Sequence, residues 1–248
     1  MLFVFAKLAK LFRISQTILR FLFTMINVKG GSFMMGSPDS DARDNERPIH
    51  KVTLSDYFIG ETLVTQELWE AVMGSNPSRF TGDLQCPVEQ VSWKDCQTFI
   101  KKLNRLVGEN FRLPTEVEWE YAARGGKEGK GHKYSGSNTI GDVAWYIDNS
   151  SGKTHPVKTK QPNELGIYDM SGNVGEWCSD WFSDSYYASS PENNPTGPST
   201  SFFRVFRGGG WGYGAVGCRV ANRYSYSTSY RLGSLGLRLS LSLSQNKE

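Results

Sequence analysis

RLPTEVEWEYAARGG, residues Arg112–Gly126, is the stretch on which the architecture turns. Pro114 and Thr115 open a helix. Proline suits the first turn, where no amide needs an intrahelical partner, and a threonine hydroxyl can accept from a free amide there. Glu118 stands three residues after the cap, in the capping-box position, and Gly125–Gly126 stops the run. At 3.6 residues per turn Trp119, Ala122 and Ala123 share a face, which turns inward. After Gly126 the helical period disappears. The chain becomes rich in Gly, Asn, Ser and Pro, with Trp145, Tyr168, Trp177, Trp181 and Trp211 spaced widely as aromatic anchors. Helices first, then loops pinned by buried aromatics, make one α+β domain with little regular structure.

Two more helices precede that stretch. Thr65 caps QELWEAVMG, with Glu67 in the first turn and Gly74 as the stop. Ser92 and Asp95 form a capping box at the head of WKDCQTFIKKLNRL, where Cys96, Phe99, Ile100 and Leu103 line one buried stripe. KGGSFMMGS, from Lys29, reads as a strand whose paired glycines mark a turn or bulge. KVTLSDYFIG reads as another, with Val52, Leu54 and Tyr57 or Phe58 inward. HPVKT, FRVFRGG and LGLRLSL are further short strands. The run Ser189–Ser201 is a surface loop and not a linker, so residues 25–248 form a single domain.

The chain has 248 residues, with seven Trp, eleven Tyr and fourteen Phe, enough for a sizeable core without staples. Cys86, Cys96, Cys178 and Cys218 lie far apart without C-x-x-C spacing; reduced, buried thiols are expected, with disulfides an alternative in an exported protein. His50, His132 and His155 lack a metal-site neighbour, which argues against zinc or a His-rich iron site. The net charge of +3 is uneven. Residues 1–24 hold Lys7, Lys10, Arg13 and Arg20 and no acid, leaving 24 basic against 25 acidic groups, a net of −1. No basic stripe points to nucleic acid. Residues 1–24 stand apart from the domain. They read as upstream of a start at Met25, as an interfacial amphipathic helix, or as a poor export signal; membrane contact is expected only through them.

The segment Gly212–Ser234, GYGAVGCRVANRYSYSTSYRLGS, is crowded with Tyr, Ser and Gly, the chemistry of an antibody-like contact surface. It holds one Cys and no acid, so it reads as recognition before catalysis.

Eight segments resemble, in order, the signatures of the formylglycine-generating enzyme family, or sulfatase-modifying factor domain, over residues 26–240. They are KGGSFMMGS, RPIHKVTLSDYFIGETLVTQELWEAVMG, PVEQVSWKDC, RLPTEVEWEYAARGG, NELGIYDMSGNVGEWCSDW, RGGGW, CRVANR and LGLRL. The resemblance implies a C-type-lectin-like fold. The founding enzymes of the family oxidise a sulfatase cysteine with oxygen, using copper held by two cysteines after a GG-S-aromatic motif. Here Gly208-Gly209-Gly210-Trp211 is followed by no cysteine until Cys218, which matches a non-catalytic position. One thiolate cannot give Cu(I) its linear pair, so neither copper nor formylglycine-generating activity is expected. The alternative is an oxidase or non-haem iron enzyme of the wider family acting on a peptide or small-molecule thiol.

The chain also resembles the variable proteins of diversity-generating retroelements, which diversify the same fold between GG-x-W and a final LG-x-R. That likeness makes Trp211, Cys218, Arg219, Ala221 and Arg223 framework. It makes Gly212, Tyr213, Gly214, Val216, Gly217, Asn222, Tyr224, Ser225, Tyr226, Ser227, Ser229, Tyr230, Leu232, Gly233 and Ser234 exchangeable ligand-binding positions. The implied partner is a protein or glycan on a host or partner cell, met at a bacterial surface or on a phage particle. In YDMSGNVGEW the family resemblance further implies a structural Ca²⁺ held by Asp169 and Glu176 with the carbonyls of Gly172 and Val174.

Overall fold

The structure is a computed structural model and describes residues 23–242. The readings of residues 1–22 lie outside it. Phe23 packs edge-on against Phe111 at 5.4 Å, and the Thr24 carbonyl accepts from the Glu61 amide. Among the described residues no helix is long and apolar enough to cross a membrane.

Among the described residues, three small sheets and three main helices surround two large cores and a small third around Cys218. Strands β1 (Met25–Val28), β4 (Tyr57–Gly60), β10 (Ser240–Ser242) and β5 (Phe111–Arg112) form one antiparallel sheet in that order. Strands β2 (Ser32–Met35) and β3 (His50–Thr53) pair as a hairpin. The third sheet runs β8 (Arg223–Ser227), β7 (Phe203–Arg207), β6 (Gly175–Trp181) and β9 (Leu235–Gly236), with only the β6–β9 pair parallel.

The caps expected from sequence form. Thr65 accepts from the Leu68 amide ahead of α1 (Gln66–Met73), and Gly74 closes it in the left-handed region. Ser92 and Asp95 make a reciprocal box on α2 (Trp93–Val107), as do Thr115 and Glu118 on α3 (Glu116–Ala123). The α2 stripe of Cys96, Phe99, Ile100 and Leu103 is buried, and Phe99 stacks on Trp69 of α1 at 4.8 Å.

Helix α3 is buried all round, not on one face. Its glutamates, Glu116, Glu118 and Glu120, lie inside with Trp119, Ala122 and Ala123. Buried carboxylates need paired cations, and arginines from distant segments supply them.

Three strand expectations are corrected. KVTLSDYFIG splits into β3 and β4, which belong to different sheets. The Leu54 amide turns to the Gly31 carbonyl, and the main chain of Leu54 passes so close to Gly30 that a Cβ there would sit 2.2 Å from its oxygen. HPVKT forms no strand: Lys158 has φ 67°, outside extended geometry, and His155 stacks on Trp145 at 3.8 Å. LGLRLSL breaks into β9 and β10 around Arg238, which is fully buried.

Candidate binding surface

Four arginines hold the C-terminal half of the domain. Arg207, Arg219, Arg223 and Arg238 are each at most 1% exposed. Arg219 donates to both Glu46 oxygens at 2.7 and 2.8 Å, and Arg223 to both Glu116 oxygens at 2.6 and 2.8 Å. Arg238 grips Glu176 at 2.8 and 2.9 Å, while Arg207 donates to Glu120 and to the carbonyls of Ala221 and Asn222. Such fork-to-carboxylate pairs fix direction as well as distance. Burial, the largest influence, works against the Arg223 charge, yet Glu116 together with Tyr187 and Glu120 holds the guanidinium above its ordinary range. Arg219 and Arg223 thus pin the base of the Gly212–Ser234 segment.

Trp211 is half-buried at the mouth of that segment and does not enter either core. Its Nε1 donates to the Gly233 carbonyl at 2.7 Å, tying the start of the segment to its end, and its ring stands edge-on to Phe80. On β8 the tyrosines form a continuous stack. Tyr224 and Tyr226 lie over Phe206 at 4.9 and 5.4 Å, Tyr213 meets Tyr224 edge-on at 5.2 Å, and Tyr230 covers Tyr226 at 4.3 Å. Burial pushes the Tyr213 and Tyr224 hydroxyls up, so they stay protonated donors.

The expected ligand-binding residues divide by exposure. Gly212, Gly214, Val216, Ser229 and Tyr230 are exposed; Tyr213, Tyr224, Ser225, Tyr226, Ser227, Leu232, Gly233 and Ser234 are half-buried. The main chains of the last three are committed, with the Leu232 carbonyl accepting from Gln90 and the Ser234 carbonyl from Gly175. Gly217 and Asn222 correct the expectation: both are buried. Asn222 Nδ2 donates to the Gly217 carbonyl at 3.2 Å, and its own carbonyl takes Arg207 Nη1 at 2.7 Å. They close the turn beneath the surface and display nothing.

The expected calcium set divides as well. Asp169 is buried and makes no ion pair among the described residues; burial raises its carboxyl, and its Oδ2 accepts from the Lys158 amide at 3.0 Å. Its Oδ1 accepts from Asn173 Nδ2 at 3.5 Å. Glu176 fits poorly as its companion. Arg238 Nε and Trp119 Nε1 share its Oε2, and Arg238 Nη2 takes Oε1. Among the described residues no three His, Cys, Asp or Glu side chains converge to hold a metal.

All four cysteines are free and buried. Cys218 is wholly enclosed, and desolvation pushes its thiol up to about 11, the reverse of an activated thiolate.

Sequence reasoning missed two contributors that lie outside Gly212–Ser234. Arg43, from the loop before β3, places its guanidinium over the Tyr224 ring at 5.0 Å. Phe202 and Phe203 are 88% and 45% exposed beside β8. Two adjacent phenylalanines inside a Ser/Thr/Pro/Gly loop were the available signal.

A domain of this lectin-like α+β build matches known proteins over most of its length. The sulfatase-modifying factor enzyme 1-like domain matches residues 17–243, and the chain belongs to that family. Its structure is similar to that of Treponema denticola variable protein 1, with a TM-score of 0.81 and 37% identity, covering 89% of this chain and 95% of that one. In sequence it is 35% identical to chaperone protein LppX of Paenibacillus barcinonensis, over 75% of this chain and 78% of that protein. It is 32% identical to the formylglycine-generating enzyme of Streptomyces coelicolor, over 86% and 87% of the two chains.

Proposed function

We propose that this protein is a receptor-type ligand-binding protein that displays an exchangeable Tyr/Ser/Gly surface and generates no formylglycine. One observation carries the reading. The exposed and half-buried runs Gly212–Val216 and Tyr224–Tyr230 flank a buried block, Gly217–Arg223, whose Arg219 and Arg223 have glutamate partners elsewhere, so side chains on top can change while the base stays fixed. Tyrosines supply large area at low conformational cost, and serine and glycine supply adaptable contacts. The likeness to a protein titled a variable protein supports the same reading. The ligand is a protein or glycan on a host or partner cell, met at a bacterial surface or on a phage particle. A structural calcium, if bound, sits at Asp169 and stiffens the loops without taking part in recognition.

The test is a library randomised at Gly212, Tyr213, Gly214, Val216, Ser225, Ser227, Ser229 and Tyr230. Most members should fold with melting temperatures close to the parent while their binding partners differ. If most fail to fold, the reading is wrong. Conversion of a sulfatase-type cysteine peptide to the aldehyde, with oxygen uptake, would equally end it.

A further inference from the structure

Among the described residues strand β8 is the last strand of its sheet: β7 pairs with one side of it, and no strand pairs with the other. In an antiparallel ladder alternate residues aim their amides and carbonyls away from the neighbour. Beyond β7, the main-chain groups of Tyr224, Ser225 and Tyr226 find no backbone partner among the described residues. A row of unpaired N–H and C=O groups is a template for another strand unless something covers it. Nothing on β8 disguises the edge: it has no proline and no bulge, and its register against β7 is regular from Arg223 to Ser227.

Over the face of β7 and β8, reaching β8 at Arg223–Ser225, runs a groove of about 800 Å³ lined by Phe182, Pro198, Phe202, Phe203 and Ser225. Phe202, at 88% exposed, is the most exposed of the large apolar side chains. Two charges border the same groove, Arg43 and Asp184, and neither makes an ion pair among the described residues. Arg43 stacks on Tyr224, at the Arg223 end of β8. An apolar wall, a free strand edge and two uncompensated charges of opposite sign fit one kind of occupant.

Resting on the reading of this surface as a recognition face, we propose that the ligand is a polypeptide, bound as an extended segment that adds to the free edge of β8. Its main chain pairs with Tyr224–Tyr226, and its longer side chains on the groove side reach across Ser225 toward Phe202 and Phe203. An acidic residue meets Arg43, and a basic one faces Asp184. Arg43, Asp184, Phe202 and Phe203 lie outside Gly212–Ser234, so they supply a constant dock. The exchangeable tyrosines and serines then choose among sequences.

The experiment is selection of phage-displayed random linear peptides on the full chain, followed by hydrogen exchange with each enriched peptide bound. Enriched peptides should carry an acidic residue amid β-forming ones and should slow exchange at the amides of β8. Arg43→Glu should weaken them about tenfold or more, the loss of one charge-assisted contact plus a repulsion. Lys130→Glu, an exposed change elsewhere, should leave them unaltered. The proposal is overturned if no linear peptide is enriched, if enriched peptides leave the β8 amides unprotected, or if Arg43→Glu binds them as well as the parent. A folded protein that binds glycans and ignores peptides would remove this inference and leave the exchangeable-surface reading standing.

Discussion

Arg223 and Glu116, 107 residues apart, meet through two hydrogen bonds of 2.6 and 2.8 Å inside the protein, both nearly inaccessible to solvent. The same guanidinium accepts no company from solvent on its other side. Its Nη1 donates to the Asn45 carbonyl at 2.7 Å, and its face lies over the Tyr187 ring at 4.1 Å. A single residue at the start of β8 thereby joins α3, the loop before β3 and the edge strand of the third sheet.

Removing one partner of such a pair leaves the other charge buried and alone. Arg223→Met should therefore cost about 3–5 kcal/mol, and Glu116→Gln somewhat less because hydrogen bonding survives. Replacing both by apolar residues of similar volume should cost less than either single change. Chemical denaturation of the four proteins measures this; additive losses would show that the two residues do not act as a pair.

The glycines of the display segment should differ sharply among themselves. A Cβ at Gly212 or Gly214 meets nothing within 4 Å, whereas one at Gly217 meets the Tyr224 hydroxyl at 2.5 Å and Tyr213 at 3.3 Å. Gly212→Ser and Gly214→Ser should stay within about 0.5 kcal/mol of the parent. Gly217→Val should destabilise by about 1–3 kcal/mol, because the tyrosine stack must move. Thermal melts distinguish the two classes, and equal losses at all three would contradict the division into displayed and supporting positions.

The part of this architecture legible in sequence is the local part. Ser92 with Asp95, Thr115 with Glu118, and Gly74 are caps whose partners lie within one helical turn, so spacing alone finds them. The acids of α3 were legible as residues but not as interior. Glu116 and Glu120 look like a solvated face until Arg223 and Arg207 arrive from the other end of the chain. The candidate site shows the same limit. Tyr213, Tyr224 and Tyr230 announce themselves by composition, while Gly217 and Asn222 share that composition and are buried by a turn that no local rule specifies. Arg43 contributes across a fold-level contact with Tyr224 and leaves no mark in its own neighbourhood.

The thiols should be silent in the folded protein. Cys96, Cys178 and Cys218 are fully buried, Cys86 nearly so, and desolvation raises each thiol above its ordinary value. Thiolate is the reactive form, so iodoacetamide at mild alkaline pH should add nothing to native protein and should label all four after denaturation. Intact mass reads both. A rapid native adduct at Cys218 would place a reactive thiol under the surface and revive the oxidase alternative.

Asp180 gives stability a pH dependence of unusual sign. It is buried on β6, where desolvation first and the nearby Glu116 carboxylate second push its carboxyl from 3.8 to about 7. The Glu116 amide and the Ser179 hydroxyl donate to it, which offsets only part of that. Between those two values the native state holds a proton that the unfolded chain has released, so this group's contribution falls as pH rises from about 4 to 7 and is level above. Paired carboxylates such as Glu120, held low by Arg124 and Arg207 against its burial, act in the opposite direction, so the whole-protein curve mixes both. Asp180→Asn isolates the one: it keeps an oxygen for the Glu116 amide and cannot ionise. Its stability relative to the parent should rise by a few kcal/mol at most between pH 4 and pH 7 and then stay flat. A difference that shrinks over that interval, or does not change, would mean that Asp180 is ionised in the folded protein, with Arg204 and Arg112 as the cations that offset it.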